Sequence, residues 1–257
     1  MPRSPLFHFE EGGAGPAVVL LHAFPLDGRM WSAQVRELAR DHRVIVPDMP
    51  GFGKSPALDG TFSLDDIANA VVSHCTSNSI DRALIVGCSM GGYIAFGLHR
   101  LHPAFASGFA LIDTRPTADS QEGRSARYEM VERARHEGAG FLQQSDPPVS
   151  PQTASQRPEA VAFIKSMMAD ATAAGVMAAQ RAMASRKDSR AVLSTIRVPV
   201  AVIHGVDDPV IALAEAKTMA SAIKDATFVP IAGAGHLSPV ETPAEVTAAL
   251  LALAKKM

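Results

Sequence analysis

The chain has 257 residues, 47% hydrophobic and 19% charged, with a formal net charge of −2. That is enough for one large α/β core, while the near-balanced charge offers neither a basic field for nucleic acid nor an acidic tail for a basic partner. No apolar run approaches the roughly twenty residues of a membrane span, residues 1–15 lack the apolar segment of a secretory signal, and two cysteines make no disulfide framework; the expectation is a cytoplasmic protein, a monomer or small homo-oligomer, whose partner is a small molecule.

Leu6 to Glu10 alternates weakly and predicts an antiparallel edge strand. Short, almost uniformly apolar runs follow at Ala17 to Leu21, Val44 to Pro47, Ala83 to Val86, Gly108 to Ile112, Val200 to His204 and Thr227 to Pro230. Such runs suit strands covered on both faces. Helical patterns separate or follow them at Met30 to Arg40, Leu64 to Asn78, Met90 to Leu101, Ala212 to Ile223 and Ala244 to Lys256, so the alternation predicts a mostly parallel central sheet flanked by helices. Between Thr114 and Ser194 the strand rhythm stops. Helices are predicted there at Gly123 to Gly138, Pro158 to Thr172 and Val176 to Arg186, with a Pro-rich loop at Asp146 to Pro151. The chain therefore divides into a core of residues 1–113 and 195–257 and a helical cap of residues 114–194, placed over the carboxyl ends of the strands, where open α/β sheets bind ligands.

Gly87-Cys88-Ser89-Met90-Gly91 lies between an apolar strand and a helix that stops at His102-Pro103. A serine in such a turn is held in a strained conformation with its oxygen exposed, and small residues two places either side let strand and helix approach. Serine is a weak nucleophile and needs a base, which in turn needs an acid to fix its tautomer. Asp207 and Asp208 follow the strand Val200 to His204, and His236 follows the last strand in the loop Ala232 to Gly235, so both reach the rim that carries Ser89. Asp113, just past Gly108 to Ile112, reaches it too, and residue order alone leaves Asp113, Asp207 and Asp208 open as the acid.

The elbow and the order Ser, Asp, His resemble the α/β-hydrolase fold superfamily over essentially the whole chain. His22-Ala23-Phe24-Pro25 is similar to the family's His-Gly-x-Pro loop, Asp48-Met49-Pro50-Gly51-Phe52-Gly53-Lys54-Ser55 to its Asp-x-x-Gly-x-Gly-x-Ser turn, Gly205-Val206-Asp207-Asp208 to its acid segment, and Gly235-His236-Leu237-Ser238-Pro239, with Glu241 and Pro243, to its histidine segment. The resemblance implies an α/β-hydrolase fold with a small helical lid after the sixth strand. It also implies a triad of Ser89, Asp208 and His236, oxyanion donors in the N–H groups of Phe24 and Met90, and a structural role for His22. Ala23 departs from the family glycine; if that position needed positive φ, alanine would cost on the order of 1 kcal/mol. The cap's Met130, Phe141, Met167 and Met168 are candidates for an apolar acyl pocket, or simply for helix core. No residue spacing suggests a metal, and no cofactor is expected. The implied activity is hydrolysis of a small carboxylic ester, lactone or thioester through an acyl-enzyme, with acyl transfer, perhydrolysis, C–C bond hydrolysis and a triad-bearing receptor as alternatives.

Overall fold

A computed structural model describes residues 9–58 and 60–257. The strands are β1 (Phe9–Gly12), β2 (Ala17–Leu21), β3 (Arg43–Pro47), β4 (Ala83–Cys88), β5 (Ala106–Ile112), β6 (Val200–Gly205) and β7 (Thr227–Ile231), in the sheet order β1-β3-β2-β4-β5-β6-β7. β1 is antiparallel to β3 and every other pairing is parallel. The expected edge strand is seen from Phe9 onward; its residues 6–8 lie outside the described residues. Every residue of β2, β4 and β6 is buried, which is why these strands read as continuous apolar runs, whereas the edge strand β7 leaves most of its residues in contact with solvent.

The first helical elements are a single 3₁₀ turn at Gly28–Trp31, α1 (Ser32–Leu38), α2 (Leu64–Ser77) and α3 (Met90–Leu101). α2 starts at a capping box in which Ser63 and Asp66 satisfy each other's backbone amides. Between β5 and β6 the described residues form only helices: α4 (Gln121–Glu137), α5 (Phe141–Gln144), α6 (Pro151–Gln156), α7 (Pro158–Asp170), α8 (Ala173–Ala184) and α9 (Arg190–Leu193). The chain ends in α10 (Leu213–Ser221), α11 (Ser238–Glu241) and α12 (Pro243–Ala254). α2 packs on α3, which lies on β2, β4 and β5, while α1 packs on α12, which lies on β5, β6 and β7. Among the described residues no single helix is long and apolar enough to cross a membrane.

The helical insertion leaves after β5, the fifth strand among the described residues. It is tied to the sheet domain by backbone. Thr172 donates to the Gly51 carbonyl through both its N–H and its Oγ1, each at 3.0 Å, and also caps α8 at Gly175. Gly51 (φ 82°) and Gly175 meet so closely that a Cβ on either would collide with the other's backbone, so this junction requires glycine twice.

The parallel register puts the ends of β4, β5 and β6 on one rim: Cys88 is level with Ile112, and Ile112 with Ile203. The residues that follow these strands are Ser89, Asp113 and the Gly205 to Asp208 turn.

Candidate active site

Ser89 stands between β4 and α3 with φ 51° and ψ −109°, one of four described non-glycine residues at positive φ. The flanking glycines make that turn possible. A Cβ on Gly87 would strike the Gly91 carbonyl, and one on Gly91 would strike the Leu21 carbonyl of β2, so α3 can begin directly against the sheet. Ser89 N–H donates to the Ile112 carbonyl at 2.9 Å, and Thr114 Oγ1 donates to the Ser89 carbonyl at 2.9 Å, which fixes the strained residue from both sides.

His236 Nε2 lies 2.9 Å from Ser89 Oγ, and its Nδ1 lies 2.8 Å from Asp208 Oδ2. An ionised carboxylate only accepts, so Nδ1 carries the proton and Nε2 presents its lone pair to the serine hydroxyl. Asp208 is itself held by the amides of Val210 (2.7 Å) and Ile211 (3.0 Å), both on Oδ1. Burial alone would raise this carboxyl; the hydrogen bond and charge of His236, with the two amides, outweigh it and hold the group below the ordinary carboxylate value.

The other two acids on the rim are turned elsewhere. Asp207 is exposed, and its backbone N–H donates to the Ala234 carbonyl at 2.9 Å. Asp113 (φ 45°) is fully buried, accepting from Gly205 N–H (2.9 Å) on one oxygen and from Ser238 N–H (3.0 Å) and Oγ (2.7 Å) on the other. It thus joins the acid segment to the histidine segment without touching His236. Burial pushes its carboxyl up to about 7 against the pull of His236, Ser238 and Gly205, and the nearby Asp208 charge adds to the rise. A folded value above the ordinary 3.8 means that the unfolded chain releases this proton first. The associated stability is complete below 3.8 and is lost as pH rises through about 7. Asp113→Asn, which mimics the protonated acid, is expected to flatten the decline in melting temperature across that window; an unchanged slope in thermal unfolding would remove Asp113 as its source.

Asp113, His204 and Asp208 each offer a ligand atom within 4.8 Å of the others. The carboxylate oxygens are already engaged by Gly205, Ser238, His236, Val210 and Ile211, and His204 Nε2 donates to the Ile211 carbonyl at 3.0 Å. The donor set fits a hydrogen-bonded network under the histidine better than a metal centre.

His22 is buried, and Nε2 accepts from Met49 N–H at 2.9 Å, which leaves Nδ1–H to donate to the Ala23 carbonyl at 3.0 Å. Burial lowers its pKa, consistent with this neutral tautomer. The Ala23 carbonyl also accepts from Leu26 N–H at 2.9 Å, so the peptide plane whose other end is the Phe24 N–H is fixed. Ala23 is not among the residues at positive φ, and replacing the family glycine carries no backbone strain. The N–H groups of Phe24 and Met90 have no partner among the described residues; Met90 opens α3, where amides lack an intrahelical acceptor.

Asp48 closes the preceding turn, with Oδ1 accepting from Gly28 N–H (2.7 Å) and Oδ2 from Lys54 N–H (2.8 Å). Glu241 does the same for the histidine loop. Its buried carboxylate accepts from Gly235, Leu237 and Ser150 N–H groups at 2.9, 2.9 and 2.7 Å. The Ser150 bond comes from the helical insertion, as does the Pro148 carbonyl that takes His236 N–H at 3.0 Å. The sequence marked Glu241 only as a member of the segment that resembles the family's histidine segment, without a role, and held no sign of Ser150.

Both cysteines are free and buried, and burial raises both thiols, Cys75 to about 12. Of the pocket candidates, Phe141, Met167 and Met168 are buried in the apolar core and Met130 packs against it, with its sulfur accepting from Gln180 Nε2 at 2.9 Å. They sit in the helix packing of the insertion.

A family model of the alpha/beta hydrolase fold matches residues 16–243. The chain is 29% identical over 230 residues to 3-oxoadipate enol-lactonase 1 of Acinetobacter baylyi, covering 89% of this chain and 84% of that protein. It is 28% identical over 238 residues to the pimeloyl-[acyl-carrier protein] methyl ester esterase of Aromatoleum aromaticum, covering 86% and 91%. Among solved structures, a thermophilic esterase from Thermogutta terrifontis is similar with a TM-score of 0.94 at 37% identity, covering 97% of this chain and 93% of that one.

Proposed function

Because the chain belongs to the alpha/beta hydrolase fold family, we propose that it is a serine hydrolase cleaving a small carboxylic ester, lactone or thioester through an acyl-enzyme. The observation that carries this reading is the unbroken line Asp208, His236, Ser89, joined at 2.8 and 2.9 Å on the rim of the sheet. Ser89 Oγ attacks the carbonyl carbon as His236 Nε2 takes its proton, and the Asp208 carboxylate stabilises the imidazolium that results. The oxyanion is received by the N–H groups of Phe24 and Met90, which have no partner among the described residues. Each such donor is worth about 3 kcal/mol of transition-state stabilisation, a magnitude seen in a protease. His236 then returns its proton to the departing alcohol, activates a water, and the acyl group leaves as the acid.

Two features support a small acyl substrate. Ser89 and His236 are only 9% and 5% exposed. The insertion, which acts as a cap, is hydrogen-bonded to the histidine loop through Pro148 and Ser150. The named esterase and lactonase relatives favour esters and lactones within that class.

The test is a panel of short p-nitrophenyl esters, aliphatic lactones and thioesters, with mass spectrometry of the chain after exposure to a phosphonate ester. Turnover of at least one class and a single adduct on Ser89 are expected. An inert chain whose Ser89 stays unmodified would overturn the reading.

A further inference from the structure

At the root of the insertion the outgoing and returning connections meet, Ser189 N–H donating to the Pro116 carbonyl at 2.8 Å. Beside that junction is a cavity of about 210 Å³ whose wall includes Arg100, Arg115, Arg186 and Lys187, with Tyr93 and Phe96 of α3 as its apolar side. None of Ser89, His236, Asp208, Phe24 or Met90 lines it.

The charges around this cavity do not balance. Asp65 is shared by Arg100 and Lys187, the latter at 3.6 Å. Behind the wall, Asp119 is shared by Arg186 (2.6 Å), Arg115 (3.5 Å) and Arg127. Glu215 adds a distant contact to Arg115 at 3.9 Å. Five cationic side chains therefore share three carboxylates. Asp119 shows the resulting field: burial by itself would raise its carboxyl, yet Arg186 and Arg127 hold it at about 2.

The donors do not balance either. The Nε–H groups of Arg100, Arg115 and Arg186 are buried and have no partner among the described residues, and these three arginines come from three separate elements converging on one cavity. The Arg186 side chain is 5% exposed, its guanidinium carbon lies 4.2 Å from the centre of the Tyr93 ring, and its terminal nitrogens are held by Asp119 and the Met183 and Thr117 carbonyls. The Nε atoms are sealed inside the wall, so what the cavity offers an occupant is the excess positive charge of its arginines and lysine, and a planar or tetrahedral oxyanion is the ligand that answers it.

We propose that this cavity binds a small organic oxyanion, a carboxylate or phosphate monoester carrying one compact apolar group, at a site separate from Ser89. The anionic end is held by Arg100, Arg115, Arg186 and Lys187, and the apolar group lies against Tyr93 and Phe96. Because Arg115 stands on the outgoing connection and Arg186 and Lys187 on the returning one, an occupant ties the two ends of the insertion together. The proposal does not rest on the catalytic role of the triad.

Calorimetric titration of the intact chain and of Ser89→Ala with benzoate, phenyl phosphate and the neutral control benzamide tests it. Saturable binding of at least one of the two anions, equal in both chains and unaffected by a phosphonate adduct on Ser89, is expected, with benzamide silent. Comparing the anions shows whether carboxylate or phosphate is preferred. Lys187→Gln, at an exposed position that does not threaten folding, and Arg115→Gln each weaken binding about tenfold, the loss of one charge-assisted contact. Arg135→Gln, on the exposed side of α4, leaves it unchanged. The proposal is overturned by no saturable binding of either anion, by equal binding of benzamide, by displacement with the phosphonate, or by insensitivity to Arg115 and Lys187.

Discussion

Ser89→Ala is expected to lower ester turnover by about 10⁴- to 10⁶-fold while the melting temperature stays within a few degrees of the parent. The expected kinetic loss follows from removing the hydroxyl proposed to form the acyl bond, and losses of this size accompany removal of the nucleophile from such triads elsewhere. The small thermal effect follows from what Ser89 contributes to the fold. Its side chain makes one hydrogen bond, to His236, and the bonds that fix the turn involve its backbone N–H and carbonyl, which alanine keeps. Alanine tolerates the positive φ no worse than serine, so the strain is already present in the parent. Residual activity above water is expected from the Phe24 and Met90 amides, which the substitution leaves in place. Steady-state hydrolysis of p-nitrophenyl acetate with a circular dichroism melt on the same sample decides it; full activity with an intact fold would remove Ser89 as nucleophile.

The sheet and the rim were legible in the sequence because buried parallel strands must be apolar along their whole length, and because the chain turns sharply where each one ends. Ala17 to Leu21 and Ala83 to Val86 announce strands for that reason, and Ser89 and Asp113 announce themselves by following strands directly, Asp208 by standing in the short turn after one. Spacing could not choose among the acids, since Asp113, Asp207 and Asp208 all satisfy it. The distinction is made by side-chain direction: Asp113 toward Gly205 and Ser238, Asp208 toward His236. The docking of the insertion was invisible for a different reason. Ser150 and Glu241 are 91 positions apart, and nothing local to either marks the bond between them. The arginine-lined cavity was only partly signalled: Arg115, with Arg124 and Arg127, reads either as a binder of a substrate carboxylate or as part of a solvated helix face, and Arg100 as the end of an amphipathic helix. Only the folded chain sets Arg100, Arg115 and Arg186 around one space.

Asp208→Asn is expected to lower kcat/KM by about 10⁴-fold, against less than about twofold for Asp207→Asn. The reason lies in the two amides that hold Asp208. Val210 and Ile211 both donate to Oδ1, so an asparagine keeps its carbonyl oxygen there and turns its NH₂ toward His236. That group can only donate, which forces Nδ1 to accept and moves the imidazole proton to Nε2. The ring then faces Ser89 Oγ with a donor where catalysis needs a lone pair, a loss of about 5 kcal/mol in transition-state stabilisation without any change in shape. Asp207→Asn disturbs none of this, because its side chain is exposed and its backbone bond to Ala234 survives. Asp113→Asn falls between them, since it reaches His236 only through the Gly205 and Ser238 contacts it supports. Kinetics of the three variants at a pH where the parent is fully active give the ranking, and a ten-thousandfold loss in Asp113→Asn with a mild Asp208→Asn would transfer the acid's role to the end of β5.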